Sequence, residues 1–318
     1  MSVNTSKVLR STVPAPAPSD PRAAEGPATA FFRRNAGGAP WGTVIPLVLL
    51  ALCLVLLYRS VATKLVADWY ELPDFSHGFL IPFFAAYLIW IKRDEIASTP
   101  VRATWAGFPL VLLGLLLFLT GRFGADLFLS RVSFILLAAG AIWAVCGRPM
   151  LHQFRFVLLV LLLAIPLPAV VFNQITFPLQ LFASRVASSL LPLAGVPVLR
   201  EGNVIQLPAM QLEVAEACSG IRSLLSLFTL AVIYGYFLEK SMARRVILAA
   251  ASVPIAVAAN VARIFGTGLC VQYWDPDKAM GFFHEFSGWL MFLVSLGFLY
   301  LVHRLTGLFW SRRKELTA

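Results

Sequence analysis

Three residues whose side chains could carry out a reaction lie in short polar motifs beside long apolar segments: Cys218, Arg263 and His284. A thiolate is a nucleophile, and a neutral imidazole can take a proton from a thiol and return it to a leaving amine. A guanidinium can stabilise the oxyanion that forms when a carbonyl is attacked. Together, the three residue types match the requirements of acyl transfer.

Cys218 lies in the sequence EACSGIR, where an extended segment meets an apolar segment of helical length. A helix N-terminus offers unpaired N–H groups and a partial positive charge, which favour thiolate over thiol. Arg222 follows four residues later on the same helical face and adds positive charge. Cysteines at helix starts are also common as small packing residues, so a structural role for Cys218 stays open.

Arg263 ends the sequence NVAR inside an otherwise apolar segment. An arginine at such a depth is costly unless it is paired or hydrated, and ionisable residues of this kind usually face a polar cavity. Asn260 precedes Arg263 by three residues and lies on the same helical face. Two interpretations are open: a functional guanidinium in a cavity, and an arginine that extends to the lipid headgroups.

His284 lies in the sequence FFHEFSG, just before the last apolar segment. A single histidine at a membrane interface is often incidental. However, the topology derived below places Cys218, Arg263 and His284 near the same membrane surface, although three separate segments carry them. This convergence favours a shared catalytic role over three unrelated ones.

The composition excludes most classes of soluble protein. Of the 318 residues, 59% are hydrophobic and only 13% are charged, with a mean hydropathy of +0.79. A soluble domain has about a quarter charged residues, so the composition predicts a polytopic membrane protein. The net charge of +10 comes from basic residues clustered between apolar segments. Such clusters are typical of topology signals rather than of a nucleic-acid surface.

The chain divides into three regions by composition. Residues 1–40 are rich in proline and predict a disordered cytoplasmic tail, residues 41–306 form the transmembrane domain, and residues 307–318 form a basic cytoplasmic C-terminal tail. Eight segments have the length of bilayer-spanning helices, and the second begins with polar residues, which indicates an irregular start. These segments are 42–58, 76–91, 104–121, 127–146, 155–173, 219–238, 246–269 and 287–305.

Basic residues are divided unequally between the two sides of this arrangement. Seventeen of the 26 Lys and Arg residues, with six of the 16 acidic residues, fall on the side of the N-terminus. That side carries +11 and the opposite side −1. The positive-inside rule therefore predicts that both termini are cytoplasmic. Arg131, at the outer end of the fourth segment, is expected to extend to the interface.

The longest outer segment, residues 174–218, has two parts. Residues 175–195 have an apolar face broken by polar residues and predict an amphipathic helix in the interface. The following residues alternate apolar and polar around Glu201-Gly202-Asn203 and predict a small β-hairpin. The predicted fold class is therefore an all-α polytopic membrane protein with about eight transmembrane helices, an outer-surface amphipathic helix and a small β-hairpin before helix six.

The motifs around Cys218, Arg263 and His284 together resemble those of the exosortase/archaeosortase family. EACSGIR precedes one helix, NVAR lies in the next, and FHEFSG precedes the last. The segment DFSHGFLIP, residues 74–82, resembles the family's characteristic early helix. The resemblance covers roughly residues 45–305, and histidine rather than arginine in the third motif is similar to the bacterial exosortase branch.

The resemblance implies a cysteine-dependent transpeptidase or protease that removes C-terminal sorting tails of the PEP-CTERM type from exported proteins. It implies that Cys218 is the nucleophile, His284 the acid and base, and Arg263 the residue that polarises or positions the scissile carbonyl. The expected location is the bacterial inner membrane, with the site at the periplasmic side. Tail-bearing membrane-anchored proteins and the bilayer are the expected partners, whereas no nucleic acid, metal or organic cofactor is expected.

Further residues at the outer level are expected to support the site or to bind substrate. Glu216 can contact substrate or pair with a nearby arginine, and His77 can support the site or cap its helix. The full set of expected supporting residues is Glu216, Arg222, Asn260, His77 and Asp74.

Two functions of other classes stay open. A transporter or flippase would account for the helices and for the polar pair Asn260 and Arg263 without needing Cys218. Symmetric halves with broken helices would favour a transporter, and the sequence has no such symmetry. A non-catalytic assembly factor for exopolysaccharide export is the third alternative. Substitution of Cys218 separates these functions from acyl transfer.

Overall fold

The protein is largely helical, with one small sheet. A computed structural model describes residues 41–214, 220–274 and 282–315. In chain order, the elements of this part are α1 (Trp41–Glu71), α2 (Leu80–Ile91), α3 (Arg93–Ser98), α4 (Phe108–Phe123), α5 (Leu127–Cys146), α6 (Arg148–Leu162), α7 (Ala169–Leu190), β1 (Leu199–Glu201), β2 (Val204–Gln206), β3 (Gln211–Glu213), α8 (Ile221–Leu238), α9 (Met242–Tyr273) and α10 (Phe282–Glu315).

Six helical segments in the described residues are long and apolar enough to cross a membrane, so the predicted count of eight is not confirmed. The first joins a 3₁₀ helix, Pro73–Phe79, to α2, which accounts for the irregular start expected from the sequence. The six segments are Pro73–Ile91, Trp105–Phe123, Leu127–Cys146, Ile221–Leu238, Met242–Tyr273 and Phe286–Leu308.

The prediction of one continuous span over 155–173 is wrong. The structure ends α6 at Leu162 and begins α7 at Ala169, with Pro166 and Pro168 between them. Proline lacks a backbone N–H and keeps the preceding residue out of the helical conformation, so the two prolines separate the helices. The helix predicted in the outer segment is present as α7, but it starts six residues earlier than expected.

Although α6, with 15 residues, is too short to be among the six apolar segments, its two ends lie at opposite ends of the bundle. Just before α6 begins, the Ala144 carbonyl accepts a hydrogen bond from the backbone of Thr104 (2.8 Å). Just after α6 ends, the Ala164 carbonyl accepts one from the indole of Trp69 (2.8 Å). Fifteen helical residues extend about 22 Å. α6 therefore returns the chain from the end of the bundle where Thr104 lies to the end where Trp69 lies.

α4 and α5 form a tightly packed antiparallel pair. The side chain of Asp126 accepts a hydrogen bond from the Leu129 backbone (3.0 Å) and so begins α5. A Cβ atom at Gly140 would lie 2.6 Å from the backbone nitrogen of Val111. Only a residue without a side chain permits so close an approach of the two backbones, as is common between membrane helices.

Arg131 does not extend to the interface, so that prediction is wrong. Its side chain is 3% exposed and donates to Asp68 at the end of α1 (Nη2 to Oδ2, 2.5 Å). The ammonium group of Lys64 approaches the other carboxylate oxygen of Asp68 at 2.9 Å. The buried guanidinium is retained inside the bundle because a carboxylate neutralises it there.

The predicted hairpin is present, and a third strand extends it. β1 and β2 are antiparallel, with Glu201 opposite Val204 across the turn, and β3 pairs with β2 through Gln206 and Gln211. Gly202 adopts a positive φ of 65° in that turn. β3 is only three residues long and is separated from β2 by a short connection, so its alternation did not stand out in the sequence.

The sheet and α7 together pack against the C-terminal half of α9 and form one apolar core. Ala183 and Ala187 of α7 face the buried residues Ile205 and Leu212 of the strands. Ile264 of α9 completes this core. The small side chains on α7 allow the helix to lie close to both partners. Residues 174–214 therefore form a folded layer over the C-terminal part of α9, the helix that carries Arg263.

α8, α9 and α10 form a three-helix unit beneath this layer. Leu227, Leu248 and Leu299 are almost completely buried in the core between these helices. At the opposite end from the candidate site, the buried carboxylate of Glu239 pairs with Arg244 and lies 2.9 Å from Nδ1 of His303. This charged cluster ties the α8–α9 connection to α10.

Candidate functional site

The first element of the site is the start of α8. Gly220 immediately precedes the helix and adopts a left-handed conformation (φ 56°, ψ −13°). Glycine adopts this conformation without the steric cost that a Cβ atom adds. Cys218 and Glu216 lie outside the described residues, and Cys218 is two residues before Gly220 along the chain. Gly220 is therefore the first described residue of the cysteine motif, at the point where α8 begins.

Asn260 of α9 lies against Gly220. A Cβ atom at Gly220 would lie 2.5 Å from Cγ and 2.7 Å from Oδ1 of Asn260. Asn260 is 8% exposed, and its Oδ1 has no hydrogen-bond partner among the described residues. The predicted cysteine and arginine motifs are thus in direct contact through these two residues. Gly220 was not singled out from the sequence, although it lies within EACSGIR.

Arg263 joins α9 to α10. Its Nε donates a long hydrogen bond to the hydroxyl of Ser287 (3.4 Å). A Cβ atom at Gly288 would lie 3.2 Å from its Nη2, so the guanidinium extends along the glycine. His284 precedes Gly288 by one helical turn on α10. The side chain of His284 lies outside the described part of the chain.

Two small cavities flank the contact between Gly220 and Asn260. One, of about 20 Å3, lies toward α7; the other, of about 10 Å3, lies toward α10. These volumes are close to that of a single water molecule, so the helices are closely apposed at this point. The cavity toward α10 is lined by Gly220, Ser223, Ala256, Ala259, Asn260, Arg263, Gly288 and Met291.

The 3₁₀ helix that carries Asp74 and His77 packs against α8, which carries Arg222. The exposed guanidinium of Arg222 is close enough to Asp74 to act electrostatically on its carboxylate. His77 is half-buried beside the backbone of Leu163 and Asp74, and its Nδ1 has no hydrogen-bond partner in the described part of the chain. The early motif and the start of α8 are therefore neighbours.

Besides Gly220, sequence reasoning passed over two more site residues, Ser287 and Gly288. Both belong to the motif FHEFSG, in which only the histidine was singled out. Their role follows from the contact with Arg263, which no spacing within one helix reveals. Within the residues that the structure describes, no three His, Cys, Asp or Glu side chains are grouped as ligands of a metal ion would be.

Comparison with curated proteins and with solved structures gave no match to the chain. A family model described as transmembrane exosortase (Exosortase_EpsH) matches residues 69–301. This range is more than two thirds of the sequence and contains all four motifs, from DFSHGFLIP to FHEFSG. The chain therefore belongs to the transmembrane exosortase family.

Proposed function

We propose that this exosortase is a cysteine-dependent transpeptidase or protease that removes C-terminal sorting tails of the PEP-CTERM type from exported proteins. The substrate is a membrane-anchored protein whose tail contains a short recognition motif, a transmembrane helix and a basic cluster. The enzyme resides in the bacterial inner membrane with both termini in the cytoplasm. Its site then lies at the periplasmic surface.

The chemistry is acyl transfer through Cys218. His284 takes the thiol proton, and the sulfur attacks the scissile carbonyl carbon while Arg263 stabilises the negative charge on the oxygen. The C–N bond then breaks, and the tail leaves as an amine with the proton held by His284. An amine or water attacks the resulting thioester, gives its proton to His284, and releases Cys218 as the thiol.

The observation that carries this proposal is the meeting of three motifs at one pair of contacts. Asn260 lies against Gly220, two residues after Cys218, and Arg263 lies against Gly288, one turn after His284. Asn260 and Arg263 are three residues apart on α9, so a single helix face holds both contacts. The chain neighbours of the proposed nucleophile and of the proposed base are thereby brought to one small cavity.

The supporting residues have narrower proposed roles. Arg222 and Asp74 lie near each other at the start of α8, and we propose that an extended substrate chain enters there. Glu216 is proposed to bind substrate beside Cys218. His77, which contacts backbone at the end of α6, supports the position of the 3₁₀ helix rather than the reaction itself.

The experiment is co-expression of the full chain with a membrane protein that carries a PEP-type C-terminal tail. Tail release is followed by gel shift for the unchanged chain, Cys218→Ala and His284→Ala, at equal membrane levels. Cys53→Ala is the matched control, because Cys53 is exposed on α1 and far along the chain from the motifs. We expect release by the unchanged chain and by Cys53→Ala only. Equal release by Cys218→Ala would refute cysteine catalysis and favour a transport or assembly function.

A further inference from the structure

The ring of Tyr236, near the end of α8, has two positively charged groups beside it. The ammonium of Lys92, just past the end of α2, lies 5.6 Å from the ring centroid. The guanidinium of Arg245, near the start of α9, lies 4.9 Å from the same centroid. Phe156 of α6 stacks on this ring, with centroids 3.6 Å apart. Four helices therefore meet at Tyr236, and two of them bring a cation.

The guanidinium of Arg245 is held in place by backbone. Its Nε donates to the carbonyl of Glu239 (2.7 Å), and its Nη2 donates to the carbonyl of Tyr236 (3.2 Å). Both carbonyls belong to the C-terminal end of α8, where carbonyl groups lack helical donors and carry partial negative charge. Arg245 thus caps α8, but this role uses only two of the five N–H donors of an arginine.

No carboxylate neutralises these two cations in the part of the chain that the structure describes. There, no acidic side chain lies within 4 Å of Lys92 or Arg245, although both are half-buried. Of the acids nearest along the chain, Asp94 is exposed on α3, and the buried carboxylate of Glu239 pairs with Arg244. Two like charges beside one ring repel each other, and a bound anion would remove this repulsion.

Exposed aromatic side chains indicate the level of this ring in the membrane. On α2, Trp90 is 61% exposed and Tyr87 is 48% exposed, and Tyr87 contacts the exposed ring of Phe237 on α8. Trp and Tyr are enriched at the level of the lipid headgroups. Arg245 also lies about 27 Å along α9 from Arg263, which is close to the thickness of the hydrocarbon core. The two cations therefore lie at the headgroup level opposite to the candidate site.

We propose that Lys92 and Arg245 bind the phosphate headgroup of an anionic phospholipid beside the ring of Tyr236. Ammonium and guanidinium groups form strong, charge-assisted hydrogen bonds with phosphate oxygens, and basic pockets between membrane helices suit such headgroups. The exposed aromatic side chains of α2 and α8 contact the acyl chains, which a free phosphate compound lacks. Lipid binding at this position uses none of the residues proposed for tail cleavage, so it does not depend on that function.

The test measures lipid binding to the purified full chain in neutral detergent by native mass spectrometry. Phosphatidylglycerol is titrated against phosphatidylcholine with the same acyl chains, and the fraction of protein with bound lipid gives Kd. The variants are Lys92→Gln, Lys92→Arg, and Lys92→Gln combined with Arg245→Gln. Arg304→Gln is the matched control, because it removes the same charge from an exposed position of α10 on the same predicted side of the membrane.

We expect the unchanged chain to bind phosphatidylglycerol more tightly than phosphatidylcholine. Lys92→Gln should weaken phosphatidylglycerol binding about fivefold, since one basic residue near an anionic lipid contributes about 1 kcal/mol. Lys92→Arg should stay within about twofold of the unchanged chain, and the double variant should bind about 30-fold more weakly. Lys92→Gln is the decisive variant, because Arg245→Gln also removes the cap of α8.

Two results would show that total charge, and not this site, attracts the lipid, and either would overturn the inference. One is an equal loss of affinity in Arg304→Gln and Lys92→Gln, and the other is equal affinity of the unchanged chain for the two lipids. Glycerol 1-phosphate, which has the phosphate group without acyl chains, should not displace phosphatidylglycerol at equal concentration. Displacement would assign the site to a free phosphate compound and overturn its assignment to a lipid.

Discussion

At the scale of single residues, the guanidinium of Arg263 is a described group with a direct part in the proposed chemistry. It is half-buried and lies along Gly288 while its Nε donates to Ser287. An arginine presents several donors in a fixed plane, which a lysine ammonium cannot reproduce. The proposed role therefore depends on the shape of the group as well as on its charge.

Arg263→Ala should lower the rate of tail release about 10²- to 10³-fold, as expected for loss of an oxyanion partner. Arg263→Lys should recover less than a tenth of the lost rate, because the ammonium keeps the charge but not the planar donor set. Rates are measured by gel shift at equal membrane levels. Arg185→Ala, an exposed arginine of α7, is the control. Full activity of Arg263→Lys would show that charge alone suffices.

The buried pair of Arg131 and Asp68 should be a stability element. Removal of Arg131 leaves the buried carboxylate of Asp68 with Lys64 as its remaining partner, so the loss should be smaller than the ~3–5 kcal/mol of a wholly unpaired buried charge. Arg131→Met should still lower the apparent melting temperature in detergent, whereas Arg148→Met, at the start of α6, should lower it little. Equal melting temperatures for the two variants would contradict this interpretation of the pair.

The same pair predicts a dependence of stability on pH. Burial alone would raise the pKa of Asp68, but hydrogen bonds and charge from Lys64 and Arg131 hold that pKa below its ordinary value. A carboxyl with a lowered pKa in the folded state stabilises the fold above about pH 4 and loses this contribution as the pH falls. Between pH 7 and pH 3, the apparent melting temperature in detergent should therefore fall less for Asp68→Asn than for the unchanged chain. An equal fall in melting temperature for the unchanged chain and for Asp68→Asn would show that Asp68 is not the source of the acid sensitivity.

Single residues differ in how well the sequence predicts them. The motifs identified Arg263 and Asn260 because both interrupt an apolar helix, which is costly without a reason. Arg131 interrupts an apolar helix in the same way, but its partner is 63 positions away, and pattern alone cannot pair the two. Gly220 and Ser287 are small residues without a chemical signature, and only tertiary contact shows what they do.

At the scale of elements, the close pair of α4 and α5 should not tolerate a side chain between its backbones. Gly140→Leu places atoms where Val111 lies, and overpacking of this kind usually costs about 1–3 kcal/mol. Gly297→Leu is the matched control, because no atom lies within 4 Å of a Cβ at Gly297 of α10. Thermal unfolding in detergent should separate the two variants. Equal destabilisation would show that α4 and α5 can separate freely.

The sequence predicted the type of most elements, from the length of apolar segments and from the alternation of apolar and polar residues. It did not predict the residues at which the elements begin and end. Helices α4, α5, α8 and α9 were predicted because each has a long apolar segment between polar ends. The break between α6 and α7 was missed because residues 156–172 contain no charged or amide side chain, although the prolines at 166 and 168 interrupt the helix within them. The third strand was missed because three residues give too little alternation to distinguish from a loop.

At the scale of the whole molecule, the account requires the hairpin and the α2–α4 connection to lie on opposite sides of the membrane. Glu201→Cys in the hairpin should react with an impermeant maleimide in intact spheroplasts. Glu95→Cys in α3 should react only after the membrane is opened, because its loop carries the basic residues of the inner side. Both positions are exposed, so accessibility within the fold does not distinguish them. The reverse pattern would invert the topology and place the site in the cytoplasm.

The most direct test of the central claim is capture of the acyl-enzyme. The full chain in vesicles is mixed with a tail-bearing substrate, quenched with acid, and digested for mass spectrometry of the peptide that contains Cys218. Acyl transfer predicts an adduct of the substrate's new C-terminus on Cys218 that hydroxylamine removes, as it removes thioesters. Cys53 and Cys270 should carry no such adduct. Tail release at the normal rate without any acyl group on Cys218, and equally by Cys218→Ala, would contradict the account.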